Sequence, residues 1–289
     1  MKKELDYLEI EICESCNLNC RSCSDGCNLT RVKQFYALDE YKNDLSRMSE
    51  LFSNIQKLRL MGGEPFLNPD IAAYAEFARQ FFPETDLRIV TNGLLIPKIS
   101  DETLLALKNS NAFLDISNYP PTRKHKAEIV KKLQKVGLGY RFSPPINFFF
   151  KTMLDRPMET GEKSFKNCLF SHCHMLGHGK IAPCSYAYCA HRLNAAFGAD
   201  YPEDDCFDIY SDITADEILD SFSHTHRFCA YCTPAMVPIR WKGGVTAGKA
   251  KLTDWTVKKD SPALSVLYPI QAFGRKAAFW LRDKTQKRK

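Results

Sequence analysis

"DYLEIEICESCNLNCRSCSDGC", residues 6–27, decides how the chain is read. Its first seven residues alternate apolar and polar, as a half-buried strand does. Five cysteines then fall in the fifteen positions from Cys13 to Cys27. Among them Cys16, Cys20 and Cys23 have the spacing C-x3-C-x2-C, on a loop that opens at the strand's end. Three thiolates on one loop can hold three irons of a cubane cluster and leave the fourth iron open. A closed zinc site would take four ligands, normally from two paired knuckles. Cys13 and Cys27 lie outside the spacing. Both are expected to be bystanders, Cys13 as a small buried residue at the strand end.

The rest of the composition sets bounds. The chain has 289 residues, 44% hydrophobic and 26% charged, enough for one large domain with a full core. The opening "MKKELDYLEIEIC" has no long apolar run and so does not read as a signal peptide. No window approaches the ~20 apolar residues of a membrane span. A cytoplasmic location is expected, and in a reducing compartment 12 cysteines argue for metal or redox work rather than disulfides. The net charge of +6 is local: Gln271 to Lys289 hold seven basic residues and one acid. That pattern excludes a broad nucleic-acid face. The tail, "AFGRKAAFWLRDKTQKRK", mixes aromatics with bases. It suits contact with an anionic membrane surface at the inner membrane, or a solvated C-terminal helix.

Along the chain, strand-like stretches at 57–63, 87–93, 112–117 and 140–145 alternate with helical ones at 39–53, 71–82, 101–110 and 123–137. Strand and helix in that rhythm predict a parallel α/β fold. The strand ends carry the distinctive residues: Cys16 to Cys23, Gly62-Gly63-Glu64, Thr91-Asn92 and Ser117-Asn118. Active sites of such folds form at the C-terminal ends of parallel strands, so a barrel is favoured over a Rossmann sheet. Three regions are expected: a barrel core over 1–155, a cysteine-rich region over 156–240, and a basic tail, helical in part, over 241–289.

With these residues the sequence resembles the radical S-adenosylmethionine (AdoMet) superfamily. "CNLNCRSC" is similar to that family's cluster loop, "MGGEP" (61–65) to its Gly-Gly-Glu motif, and "TNG" (91–93) falls at a familiar strand end. The resemblance implies a partial (β/α)6 TIM-like barrel, a [4Fe–4S] cluster on Cys16, Cys20 and Cys23, and AdoMet on its open iron. Gly62, Gly63 and Glu64 would hold the amino group of AdoMet, since an ammonium wants a carboxylate and bare carbonyls. Asn92, Ser117 and Asn118 would complete the cofactor site. Ser22 departs from the pattern, because an aromatic residue usually precedes the last cysteine. Reduction of the cluster would cleave AdoMet to methionine and a 5′-deoxyadenosyl radical that takes a hydrogen atom from the substrate. The electron donor would be a reductase partner such as flavodoxin or ferredoxin.

Seven more cysteines follow residue 160. "HCHMLGHGKIAPC" reads as a hairpin turning at Gly177-His178-Gly179, and "FCAYC" as a metal knuckle. The layout resembles the auxiliary-cluster region called twitch, the short form of SPASM. It implies a second [4Fe–4S] cluster on Cys168, Cys184, Cys229 and Cys232, with Cys173 the rival for the first position. A zinc site of four cysteines, or one joined by nearby histidines, is the alternative. Cys189 is a candidate hydrogen donor to a substrate radical. Twitch relatives include dehydrogenases of aminocyclitols and sugars, and SPASM relatives include modifiers of peptides. No leader-recognition pattern precedes the first strand, so a small polar substrate is expected. It would be dehydrogenated or epimerised, with Arg141, Asn147, Tyr119, Tyr186 and Tyr188 available to grip it. Peptide modification is the second reading, and a zinc-stapled binding protein the non-enzymatic one.

Overall fold

A computed structural model describes residues 2–30 and 34–271. Strand β1 (Lys3–Cys13) leads through the cysteine loop to helix α1 (Leu38–Leu51). Then come β2 (Phe52–Gly62), α2 (Ile71–Phe81), β3 (Asp86–Thr91), α3 (Asp101–Asn109) and β4 (Phe113–Ile116). Two short helices, α4 (Pro120–Lys124) and α5 (Lys126–Val136), lead to β5 (Tyr140–Phe142). Local signals explain several boundaries. The Ser100 hydroxyl accepts from the Thr103 N–H to open α3, and Gly137 closes α5 in the left-handed conformation.

The main sheet runs β5-β4-β3-β2-β1, every neighbour parallel. Each βα unit is thus added on the same side of the last one, which is barrel winding; a doubly wound sheet would reverse. Leu8, Ile10 and Ile12 of β1, Leu58 and Leu60 of β2 and Ile89 of β3 join one core with Leu45, Ala78, Leu107 and Leu133 of the helices. The alternate residues form a polar face. Arg59 pairs with Glu9 (3.2 Å) and with Asp115 (3.5 Å), and Asp115 also takes Arg141.

The α/β fold with a mostly parallel sheet is as expected, but its sixth parallel strand is not the sixth in sequence. Only Ser143–Asn147 separate β5 from β6 (Phe148–Leu154), with Pro144 and Pro145 among them. A parallel return needs a crossover of a dozen or more residues, so β6 leaves the sheet. It pairs instead with β10 (Cys232–Arg240) and β11 (Thr256–Val257) in a separate three-stranded sheet. The sixth parallel strand is β7 (Met175–Gly177), which joins the free edge of β1. It turns through His178-Gly179 into β8 (Lys180–Ala182), and β9 (Phe207–Asp208) closes the edge. The cysteine hairpin therefore extends the barrel sheet rather than standing apart from it.

Candidate functional site

The loop from Cys13 to Cys27 sits on the C-terminal end of β1 and is clasped from two sides. On one side lie Gly62 and Gly63. The Gly63 N–H donates to Cys13 O (2.7 Å) and the Glu64 N–H to Ser15 O (2.9 Å). A Cβ on Gly62 would stand 2.2 Å from Cys13 O, and one on Gly63 2.1 Å from Ser15 O. The glycine pair is required because the cysteine loop's own backbone lies against it. On the other side, residues 241–257 wrap the loop: Arg21 N–H donates to Lys242 O, Gly244 N–H to Leu18 O, and Val245 N–H to Asn19 O. Trp241 Nε1 donates to Cys20 Sγ (3.2 Å) and Trp255 Nε1 to Cys23 O (2.7 Å). The expected tail from 241 thus begins as part of the site.

Cys16, Cys20 and Cys23 line one cavity together with Gly62, Gly63, Asn92 and Ser117. Burial pushes Cys16 up to about 12 and raises Cys20 further, so metal binding must displace their protons. The Leu18 N–H already points at Cys16 Sγ (3.4 Å). Asn92 reaches across the cavity's edge, its Nδ2 donating to Asn17 Oδ1 (2.6 Å). Ser22 adopts φ +61°, and its buried hydroxyl lines the cavity without a partner in the protein.

Three expectations meet a different geometry here. Glu64 does not face the cavity. It is fully buried and accepts from Thr91 Oγ1 (2.6 Å), Asn92 N–H (2.8 Å) and Phe66 N–H (3.2 Å). Burial raises its carboxyl to about 7. Its visible work is to tie the β2 loop to the β3 loop. Asn118 is not among the cavity's walls, and its Oδ1 is buried and unpartnered. Cys27 is no bystander: it lines the cavity, and its thiol donates to Glu11 Oε1 (3.3 Å). A hydrogen bond from Cys27 lowers the Cys23 thiol. Cys13 is buried at the strand end, as read.

Cys168, Cys184, Cys229 and Cys232 line a second cavity, and Cys173 is not among its walls. Helix α6 (Glu162–Phe165) borders it, and its Ser164 hydroxyl donates to Cys232 O (2.6 Å). Cys184 caps α7 (Ser185–Tyr188), its sulfur accepting the Ala187 N–H (3.5 Å). Cys168 accepts from Phe170 N–H (3.2 Å), and Cys229, in a 3₁₀ turn, accepts from His226 N–H (3.4 Å). Backbone N–H groups aimed at sulfur stabilise thiolates and tune clusters. The two cavities share Leu169, Phe170, Tyr186 and Met236 as walls.

Among the described residues, the one group of three or more metal-type donors all within 4.8 Å of one another is Cys23, Asp25 and Cys27. Neither cysteine set is that tight. Zinc at about 2.3 Å from each sulfur holds neighbouring sulfurs about 4 Å apart, whereas a cubane's ligands stand wider. Neither set is drawn to the sulfur spacing of a single zinc ion.

Cys189 lines neither cavity. It is buried beside Arg192, whose Nη1 lies 3.7 Å from its sulfur, and the hydrogen-donor role has no support here. Arg192, on α8 (Ala190–Phe197), instead holds Glu11 with both terminal nitrogens (3.0 and 2.6 Å) and the Asp25 carbonyl (2.6 Å). Tyr119 and Tyr186 line the first cavity. Arg141 is spent on Asp115, Asn147 on Arg123, and Tyr188 packs at Gly177. Sequence reasoning missed Trp241, Trp255 and Arg192. The two tryptophans carried a weak signal: they flank the glycine pair 243–244 in a segment otherwise poor in apolar residues.

Residues 10–139 match the family model described as Radical SAM superfamily. A GTP 3′,8-cyclase of Sulfurovum sp. (strain NBC37-1) is 26% identical over 152 residues, 49% of this chain and 46% of that protein. A GTP 3′,8-cyclase of Trichodesmium erythraeum (strain IMS101) is 34% identical over 116 residues, 38% of this chain and 35% of that protein. The chain thus spans half or less of the curated relatives it matches. Among solved structures, BtrN in complex with AdoMet and 2-DOIA is 15% identical with a TM-score of 0.44, covering 79% of this chain and 85% of that one. Streptococcus suis SuiB bound to S-adenosylmethionine is 17% identical with a TM-score of 0.39, covering 48% and 34%. The family matched over residues 10–139 is one that implies a [4Fe–4S] cluster and AdoMet. Among the described residues no helix is long and apolar enough to cross a membrane.

Proposed function

We propose that the chain is a radical AdoMet enzyme that removes a hydrogen atom from a small polar substrate, a sugar or aminocyclitol-like molecule, and dehydrogenates it. One observation carries this: the three loop thiols share a cavity with the glycine pair, Asn92 and Ser117, and that cavity shares walls with a four-cysteine one. When bound, the cluster and AdoMet supply the reductively formed 5′-deoxyadenosyl radical that does the abstraction. Cys16, Cys20 and Cys23 would hold the first cluster, and Cys168, Cys184, Cys229 and Cys232 the second. The backbone of Gly62 and Gly63, with Asn92, Ser117 and the unpartnered Ser22 hydroxyl, would meet the polar parts of AdoMet. Asp25, Asn28, Tyr119 and Tyr186 offer the substrate polar contacts. Tyr119 stacks on Trp241 with centroids 5.5 Å apart, and this pair with Phe149 keeps water from the reacting atoms. A second redox site behind the shared walls would suit a reaction in which the substrate loses two electrons. For that reason dehydrogenation is preferred to epimerisation, and the electron donor would be a flavodoxin or ferredoxin type of reductase.

Peptide modification is the second reading, favoured by one observation, the exposed rim of the first cavity at Phe148, Phe150 and Leu169. The cyclase name of the curated relatives rests on half or less of each chain, so their substrate is not carried over. The test is isotopic. The reconstituted enzyme is given AdoMet, dithionite and deuterated sugars or aminocyclitols, then deuterated short peptides. Deuterium in 5′-deoxyadenosine with a polyol and not with a peptide supports the reading; the reverse overturns it.

A further inference from the structure

Among the described residues eight large apolar side chains are exposed, and three of them line the first cavity. Phe148 (55%), Phe150 (44%) and Leu169 (58%) stand on its rim. Val266 (61%) and Ile270 (63%) lie one turn apart on a helix over residues 262–271. That helix is pinned to the same rim. Gln271 Nε2 donates to Met236 O (2.8 Å), and Met236 N–H donates to Gln271 Oε1 (2.9 Å). Met236 is itself a wall of the cavity. Lys163 sits over the Tyr268 ring at 4.0 Å. An apolar patch of this kind around a cavity mouth marks an interaction surface.

Charge identifies the occupant. Residues 242–289 hold twelve Lys and Arg and three Asp, a surplus of nine, so residues 1–241 carry a net −3. The described chain ends at Gln271, on the rim, and the next eighteen residues contain seven bases with Phe273, Phe279 and Trp280. Exposed apolar groups followed in sequence by a concentrated basic segment complement an anionic bilayer, which offers hydrocarbon and negative headgroups together.

We propose that the mouth of the first cavity and the helix over 262–271 dock on an anionic membrane surface. The substrate is then the polar head of a membrane-anchored amphiphile. The head enters the cavity while the apolar chain stays among Phe148, Phe150 and Leu169. The docking stands on the patch and the charge alone, and the identity of the substrate rests also on the reading above.

The test uses the full reconstituted chain and phosphatidylcholine vesicles with or without phosphatidylglycerol. Co-sedimentation is expected only with phosphatidylglycerol, and it should weaken as salt rises. Two full-length variants separate the parts: Val266→Ser with Ile270→Ser, and all seven bases of 275–289 changed to Gln. Each should reduce partitioning at least about tenfold, while AdoMet cleavage without substrate stays unchanged. Equal pelleting with neutral vesicles, no pelleting at all, or pelleting untouched by both variants overturns the docking. Vesicle binding by a protein that cannot cleave AdoMet would instead overturn the radical reading and leave the docking in place.

Discussion

Gly63→Ala puts the site's architecture at risk with a single methyl group. The new Cβ would fall 2.1 Å from Ser15 O, 2.3 Å from its carbonyl carbon and 2.8 Å from Cys16 N. These are backbone atoms of the cysteine loop, not the ends of flexible side chains, so no rotamer change relieves the overlap. Contacts under 3.0 Å are essentially never tolerated, and the loop must retreat by about 1 Å, a misplacement that can cost about 10²-fold in rate. The retreat also strains the Gly63 N–H to Cys13 O and Glu64 N–H to Ser15 O bonds. Overpacking of this kind costs about 1–3 kcal/mol. The expected variant is folded, with a melting temperature several degrees lower, incomplete iron at the first site and 5′-deoxyadenosine formation down about 100-fold. The assay pairs thermal unfolding with iron and sulfide analysis and a timed AdoMet cleavage. Wild-type iron content and wild-type cleavage would refute the claim that the glycine pair seats the cysteine loop.

Further outcomes follow from the same geometry. Cys184→Ala should lose about four of about eight irons per chain, whereas Cys173→Ala and Cys189→Ala should keep all of them; iron-to-protein ratios decide. Trp241→Phe removes the N–H bond to Cys20 Sγ, a bond worth about 1 kcal/mol, so the first cluster's reduction potential should fall by tens of millivolts in a redox titration. Arg192→Ala leaves Glu11 charged and buried, and should destabilise the chain by about 3–5 kcal/mol in a urea melt, with Arg192→Lys only partly restoring it. Burial lowers His174 to about 4, while its Nδ1 donates to Pro183 O and its ring stacks on Phe222. The unfolded chain therefore binds the proton first as pH falls. Stability should be intact above about 6.5 and decline by about 2–3 kcal/mol toward pH 4, and His174→Gln should flatten that slope.

Local patterns were readable from sequence. The alternation in 6–12, the helical spacing in 71–82 and 101–110, and the triplet of cysteines each depend on residues a few positions apart. They set the fold class and the first cavity's thiols. The four cysteines of the second cavity were readable only through resemblance. What escaped depends on contacts across long separations. Trp241 meets Cys20 across 221 positions and Arg192 meets Glu11 across 181. No periodicity announces such pairs. The exit of β6 had a sign in Pro144-Pro145, but its partners, 232–240 and 256–257, did not. Glu64 shows another limit. Its motif gave the residue type, while the direction of its carboxylate depends on Thr91 and Asn92, whose approach is a matter of tertiary packing. Cys27 was set aside because it lay outside the spacing, yet the left-handed turn at Gly26 brings it back beside Cys23.

Formation of 5′-deoxyadenosine from AdoMet by anaerobically reconstituted protein with dithionite tests the central claim most directly. The account predicts formation by the wild-type chain and none by Cys20→Ala, which keeps the second site's irons. A chain that purifies with zinc, holds no sulfide and leaves AdoMet intact would contradict it.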